Sequence, residues 1–202
     1  MKEQQQFPED FQVTIKQLLQ QMNDEVTDIN QTFSTLKCCI LSDLEELQHT
    51  MDHIKSNVSS YYLKAYLEPF TKHFITLTQA VQRLSEKRHG ALIVIERSIL
   101  VEPFLLGSIR VNAPVTQLLL ESIFYPGNPL HDGGVLIRGD WILSAKNILP
   151  LTRNTEVSNK FGTRHRAAIG LSEQTDALVL VVSEETGRIS FAMNGEIFPI
   201  KT

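Results

Sequence analysis

Two short, continuous apolar runs, Ala91-Leu92-Ile93-Val94-Ile95 and Leu178-Val179-Leu180-Val181-Val182, constrain the fold of this chain more than any other feature. Runs of this length, rich in β-branched residues, read as strands buried on both faces. Such strands need a covering layer above and below, and the chain between them supplies helical patterns. A helix starting with proline is expected over 114–124, and another over 164–172. Further strands are expected over 135–137 and 141–149, around the turn Arg138-Gly139-Asp140. Strands over 188–193 and 196–200 form a hairpin across Asn194-Gly195, a strong hairpin signal. Strands interleaved with helices give an α/β domain with a mixed β-sheet flanked by helices, placed at 61–202.

Residues 1–88 have a different character, polar and helical. Phe11, Ile15, Leu18, Met22, Val26, Ile29, Phe33 and Leu36 recur at steps of three or four, which makes one apolar stripe on a helix. Ser42 followed by Glu45 is a capping-box pattern that starts a second helix, with the stripe Leu44, Leu47, Met51, Ile54 and Val58. Residues 55–60 read as a connection, and 61–88 as a third helical segment broken or kinked at Pro69. The expected N-terminal extension over 1–60 is therefore an α-helical hairpin. A hairpin alone cannot bury both stripes, so they pack on the following domain or on another subunit.

Composition removes several classes of function. The chain has 202 residues and a net charge of −4, so it lacks the basic balance of a nucleic-acid binder. Its two cysteines, Cys38 and Cys39, are adjacent, which suits neither a disulfide framework nor a metal site and points to a reducing cytoplasm. No apolar signal region and no stretch of bilayer-spanning length is present, so a cytoplasmic protein without a membrane partner is expected.

Chemistry concentrates in three strings. Gly162-Thr163-Arg164-His165-Arg166 opens a helix and places cations where free N–H groups and the helix dipole already favour an anion. Arginine forks bind phosphate oxygens, so the string reads as a polyphosphate site. His131-Asp132-Gly133-Gly134 precedes a strand. It is either an ordinary tight turn or a place where a ligand lies against bare backbone, with a histidine and a carboxylate beside it. Ser183-Glu184-Glu185-Thr186-Gly187 follows a buried strand. It is either a solvated acidic turn or a carboxylate ligand for Mg²⁺ or Mn²⁺. Glu96, Glu102 and Glu121 fit solvated faces better.

Together with Gly90-Ala91-Leu92-Ile93, these strings resemble the diadenylate cyclase domain in order and spacing over roughly residues 62–200. One departure is visible: the family's usual Asp-Gly-Ala stands here as Asp132-Gly133-Gly134, which keeps the position small and loosens the loop. The resemblance implies an enzyme that joins two ATP molecules into cyclic di-AMP and releases two pyrophosphates, with two subunits facing each other. It implies that Asp132 contacts the ribose near the attacking 3′-hydroxyl and that Gly133 and Gly134 lie against the nucleotide. It further implies that Leu149 offers backbone contacts to adenine, that Thr163, Arg164, His165, Arg166 and Ser183 hold the triphosphate, and that His131 and Glu185 are near or on a Mn²⁺ or Mg²⁺ ion. The two-helix extension resembles the sporulation-associated branch, which implies helices that restrain activity and favour a hexamer. The competing expectation is a catalytically weak nucleotide-sensing module of the same fold, acting through its helices.

Overall fold

The computed structural model describes residues 8–33, 40–154 and 161–200. Two compact units divide the chain, Met1–Val58 and Ser59–Thr202.

The first unit holds α1 (Glu9–Phe33) and most of α2 (Ile40–Leu67). A polar cluster ties the two helices into a hairpin. The Thr50 hydroxyl donates to Glu25 Oε1 at 2.8 Å, and Gln21 Nε2 donates to the same oxygen at 2.8 Å. Thr50 is buried, so this cluster fixes the register of the pair. The stripes are less buried than their composition predicts. Phe11, Ile15, Leu18 and Met22 are only half-buried, while Leu44 and Met51 stay 44% and 41% exposed. The side chain of Phe33, with Leu36, Cys38 and Cys39, lies outside the described residues.

Two expectations for α2 fail. The helix already runs from Ile40, so Ser42 sits inside its first turn rather than at its cap. Residues 55–60 are helical rather than a connection, because nothing there forces a break and Asn57 Nδ2 donates back to the His53 carbonyl at 2.8 Å. The helix stops instead at Leu67, two residues before Pro69, whose ring excludes a continuing helix.

In the second unit α3 (Phe74–Glu86) leads into β1 (Ala91–Ile95). Then come β2 (Ile109–Pro114), α4 (Gln117–Ile123), β3 (Gly134–Arg138), β4 (Trp141–Asn147), α5 (Thr163–Ser172), β5 (Leu178–Val182), β6 (Ile189–Met193) and β7 (Glu196–Pro199). The seven strands form one mixed sheet in the order β2-β4-β3-β1-β5-β6-β7. β1 and β3 are parallel and every other neighbouring pair is antiparallel. Alternate residues of β1 face opposite layers. Ala91, Ile93 and Ile95 pack with Leu77, Leu84 and Leu120 of α3 and α4, while Leu92 and Val94 pack with Ala168 and Leu171 of α5.

β2 escapes the sequence pattern because it is an exposed edge strand with Asn112 in a left-handed conformation at φ 48°, which breaks the alternation. Pro114 ends this strand rather than starting a helix. α4 begins three residues later, where Thr116 Oγ1 accepts from the Leu119 amide at 3.2 Å. Glu96 also departs from expectation. It is buried, with both carboxylate oxygens on Arg138 and one also taking the Val101 amide at 2.9 Å. Glu121 is only partly solvated, bonding Lys87 at 2.9 Å, whereas Glu102 is exposed as expected.

Arg138→Ala should lower stability in urea unfolding by about 3 kcal/mol, the scale for a buried charge left without its partner. Adding Glu96→Gln should recover part of that loss. An unchanged unfolding midpoint in Arg138→Ala would show that Glu96 is solvated after all.

Candidate active site

Strand register brings two of the three strings to one edge of the sheet. The first residue of β1, Ala91, pairs with Val182, the last residue of β5. β3 runs parallel to β1, and its first residue, Gly134, pairs with Asn147, the last residue of β4. Gly90, the 131–134 turn, the chain after Asn147 and the 183–187 turn therefore all leave the sheet at the same end. It is the amino end of the parallel pair β1 and β3 and the carboxyl end of β4 and β5, so loops from four strands converge there.

α5 points its N-terminus at this edge. Gly162 caps it without a side-chain bond, and its first turn holds no acidic residue, so its leading amides lack an internal carboxylate. Gly170 lets the helix lie directly on the backbone of 150–152, where a Cβ would overlap the Pro150 carbonyl. The Thr152 amide donates to the Arg166 carbonyl at 3.1 Å and completes the seam. Leu149, just before the seam, is buried among Leu92, Ala167 and Ala168.

The cations differ in environment. Arg164 Nη1 donates to Glu184 Oε2 at 2.6 Å, so it has a carboxylate partner that its own sequence neighbourhood does not show. His165 stacks on Phe161, ring centres 5.6 Å apart. Burial first, then the Arg164 charge, pushes its imidazole below the usual histidine range, against an upward pull from Glu185. Arg166 Nε is buried with no hydrogen-bond partner among the described residues, an unmet donor beside a helix N-terminus. Thr163 is exposed.

The 131–134 turn is held from beneath. His131 Nδ1 meets the Asn128 carbonyl at 2.6 Å, which fixes that nitrogen as the donor and leaves Nε2 with its lone pair. Asp132 is exposed. Gly133 has φ 126°, and a Cβ there would lie 2.8 Å from the Asn147 carbonyl oxygen. Gly134 is buried in β3 rather than loosening a loop: its carbonyl accepts from Asn147 Nδ2 at 2.8 Å. The space beside it is taken by Leu149, whose Cδ1 would be 2.8 Å from a Cβ at Gly134.

In the third string the Ser183 hydroxyl accepts from the Thr186 amide at 3.3 Å, closing the turn. Glu184 is exposed, and its carboxyl is held below the usual range by Arg164 and, more weakly, by His131 and His89. Histidine and acid thus act on each other across this edge, His131 and His89 on Glu184 and Glu185 on His165. Among the described residues no three His, Cys, Asp or Glu side chains are grouped to hold a metal alone. A hard cation here would complete its shell from phosphate and water oxygens, which is the usual habit of Mg²⁺. A lone pair on His131 Nε2 and an exposed Glu185 fit that partial role.

Three residues of the site were missed from the sequence. Asn147, fully buried, bonds Ser144 and Gly134; its only signal is an amide inside a strand pattern. Glu184 and Gly90 stand within strings that carry the resemblance, but neither shows a role of its own there. Their meeting with Arg164 is a tertiary event between segments far apart in the chain.

Two family models match. "DisA bacterial checkpoint controller nucleotide-binding" covers residues 78–197, and "Diadenylate cyclase CdaS, N-terminal" covers residues 2–70. The chain is 48% identical to diadenylate cyclase CdaS of Bacillus thuringiensis, over 95% of this chain and 96% of that protein. It is 47% identical to cyclic di-AMP synthase CdaS of Bacillus subtilis, over 94% and 91%. A crystal structure from Bacillus cereus, described as a hypothetical membrane spanning protein, superposes with a TM-score of 0.79 at 47% identity, covering 96% of this chain and 95% of that one. No described helix of the present chain is long and apolar enough to cross a membrane.

The two adjacent glycines should respond differently to alanine. Gly133→Ala meets backbone in a conformation alanine rarely adopts, and thermal unfolding should report a loss of at least about 2 kcal/mol. Gly134→Ala meets only the end of a leucine side chain and should cost less than about 1 kcal/mol. Equal losses would contradict the placement of Asn147 beneath the turn.

Proposed function

The chain belongs to the diadenylate cyclase family, pairing the DisA-type nucleotide-binding domain with the N-terminal region of the CdaS cyclases, and on that premise we propose how it condenses two ATP molecules into cyclic di-AMP and two pyrophosphates. One observation carries the reading. The cationic start of α5 meets the 183–187 turn at the sheet edge from which the 131–134 turn also leaves.

Each subunit binds one ATP. Arg164, Arg166, Thr163 and the free amides of α5 take the triphosphate, with His165 and Ser183 alongside. The buried, unmet Nε of Arg166 gains a partner when phosphate arrives. The backbone of Gly133 lies against the nucleotide with Gly134 buried behind it, and the chain at Leu149 borders adenine. A Mn²⁺ or Mg²⁺ ion held by His131 and Glu185 would neutralise charge on the triphosphate. Asp132 contacts the ribose and receives the proton of the 3′-hydroxyl. That oxygen bonds to the α-phosphorus of the ATP on the facing subunit, and the bond from α-phosphorus to pyrophosphate breaks. The same event in reverse direction closes the ring. The arginines stabilise charge that grows on the non-bridging and leaving oxygens. Facing sites supply the alignment, a large share of the acceleration in reactions of this kind.

We assign residues 1–60 to a regulatory and oligomerisation extension. Its stripes are only half-buried by the helical hairpin itself, and a second copy of the extension is the cover this reading assigns to them. The hexamer is the assembly this reading favours.

Purified protein given ATP and Mn²⁺ should form cyclic di-AMP and pyrophosphate in a 1:2 ratio. Asp132→Asn should bind ATP with nearly unchanged affinity and lose at least about 100-fold in turnover, the scale of a general base. Wild-type protein that binds ATP without turnover would reassign the chain to a nucleotide-sensing module. Near-normal turnover in Asp132→Asn would remove that residue from the chemistry.

Deleting residues 1–60 should raise cyclic di-AMP formation per active site and lower the mass found by light scattering. Leu18→Glu should act in the same direction, because burying a charge in the stripe is costly. A folded truncation slower than the full chain would show that the helices assemble the facing pair instead of restraining it.

A further inference from the structure

Arg164 is not an independent phosphate ligand: two residues from other segments fix where its guanidinium sits. It projects from the first turn of α5, and Nη1 donates to Glu184 Oε2 at 2.6 Å. On its other side lies Gly90, at the entrance to β1. A Cβ at Gly90 would overlap both Nη1 and Cζ of Arg164 and stand 3.0 Å from the Glu184 Cβ. Gly90 is not among the residues with positive φ, so the backbone itself would accept alanine. Glycine is needed there for space, and the space is filled by the guanidinium.

We propose that Glu184 is a positioning residue which, with the bare backbone of Gly90, holds Arg164 ready for the triphosphate. The proposal rests on the ATP reading above. The chemistry favours a cradle over a competitor. A guanidinium carries five N–H donors, and Glu184 engages one of its nitrogens, leaving Nε and Nη2 without partners among the described residues. The fork therefore stays available to phosphate while its rotamer is already chosen, so less freedom is lost on binding. The ion pair has little other purpose. Glu184 is 61% exposed against 26% for Arg164, and a pair with one partner in solvent contributes little to folding. His131 and His89 also draw the Glu184 carboxyl downward, more weakly than Arg164.

The test combines ATP turnover with calorimetry of a non-reactive ATP analogue, both with Mn²⁺, on single and double variants. Glu184→Ala should weaken analogue binding about tenfold, roughly one charge-assisted hydrogen bond. Its turnover at saturating ATP should stay within about twofold of wild type, because a positioning effect on binding is not an effect on the chemical step. Glu184→Gln keeps the acceptor and should recover most of the affinity. Gly90→Ala should weaken binding to a similar degree. In an Arg164→Ala background both Glu184→Ala and Gly90→Ala should be silent, since the residue they act through is gone. Circular dichroism should show all variants folded, as Glu184 is exposed and a Cβ at the buried Gly90 meets only the side chains of Arg164 and Glu184. Effects that add to Arg164→Ala, or a collapse of turnover at unchanged affinity, would overturn the proposal and make Glu184 a direct participant. Tighter binding in Glu184→Ala would overturn it by making Glu184 a competitor for the arginine. Wild-type protein that forms no cyclic di-AMP would instead refute the cyclase reading, and the analogue affinities would still decide the role of Glu184.

Discussion

The pairing of β1 with β5 on one side and β3 on the other is the constraint on which the rest of the structure depends. Antiparallel pairing sets the start of β1 against the end of β5, and parallel pairing sets the start of β3 at the same end. Strand register is all-or-none, because a slip of one residue would turn every buried side chain to the wrong face. Burial of both faces of β1 and β5 thus enforces the register. The register in turn places the 131–134 turn, the 183–187 turn and Gly90 together. The site inherits its geometry from the core rather than from its own polar contacts.

Close backbone approach is the second ingredient. Gly170 seats α5 against the 150–152 segment, and Gly133 lies over the end of β4. These contacts aim the start of α5 at the sheet edge. The charge is concentrated in the same way. A chain with a net charge of −4 gathers Arg164, His165 and Arg166 into one helical turn, where the dipole adds to their field. Burial keeps His165 neutral more readily than an exposed histidine, so near neutrality the arginines carry the fixed charge.

Much of this was legible in the sequence where local pattern and tertiary demand agree. The apolar runs at 91–95 and 178–182, the Asn194-Gly195 hairpin and the helix over 164–172 all formed, because core burial reinforces what each segment prefers alone. The failures share a cause. β2 exists through its pairing with β4 and not through its own alternation. Glu96 looks like a surface acid until the fold supplies Arg138. Residues 55–60 look like a linker until back-bonding within the helix is counted. In the site, the three strings were readable as strings, but the links among Gly90, Arg164 and Glu184, and of Asn147 to Gly134, are made only in three dimensions. Gly134 shows the reverse error, a residue read as loop because its neighbours are turn-formers, yet held inside a strand by Asn147.

The central claim is that this edge of the sheet binds the nucleotide. Crystals of the full chain grown with a non-reactive ATP analogue and Mn²⁺ test it most directly. The account predicts triphosphate density within hydrogen-bond reach of Thr163, Arg164 and the buried Nε of Arg166, with adenine beside the chain at Leu149. Analogue bound elsewhere, such as the surface between α3 and α4, with the start of α5 left empty, would contradict it.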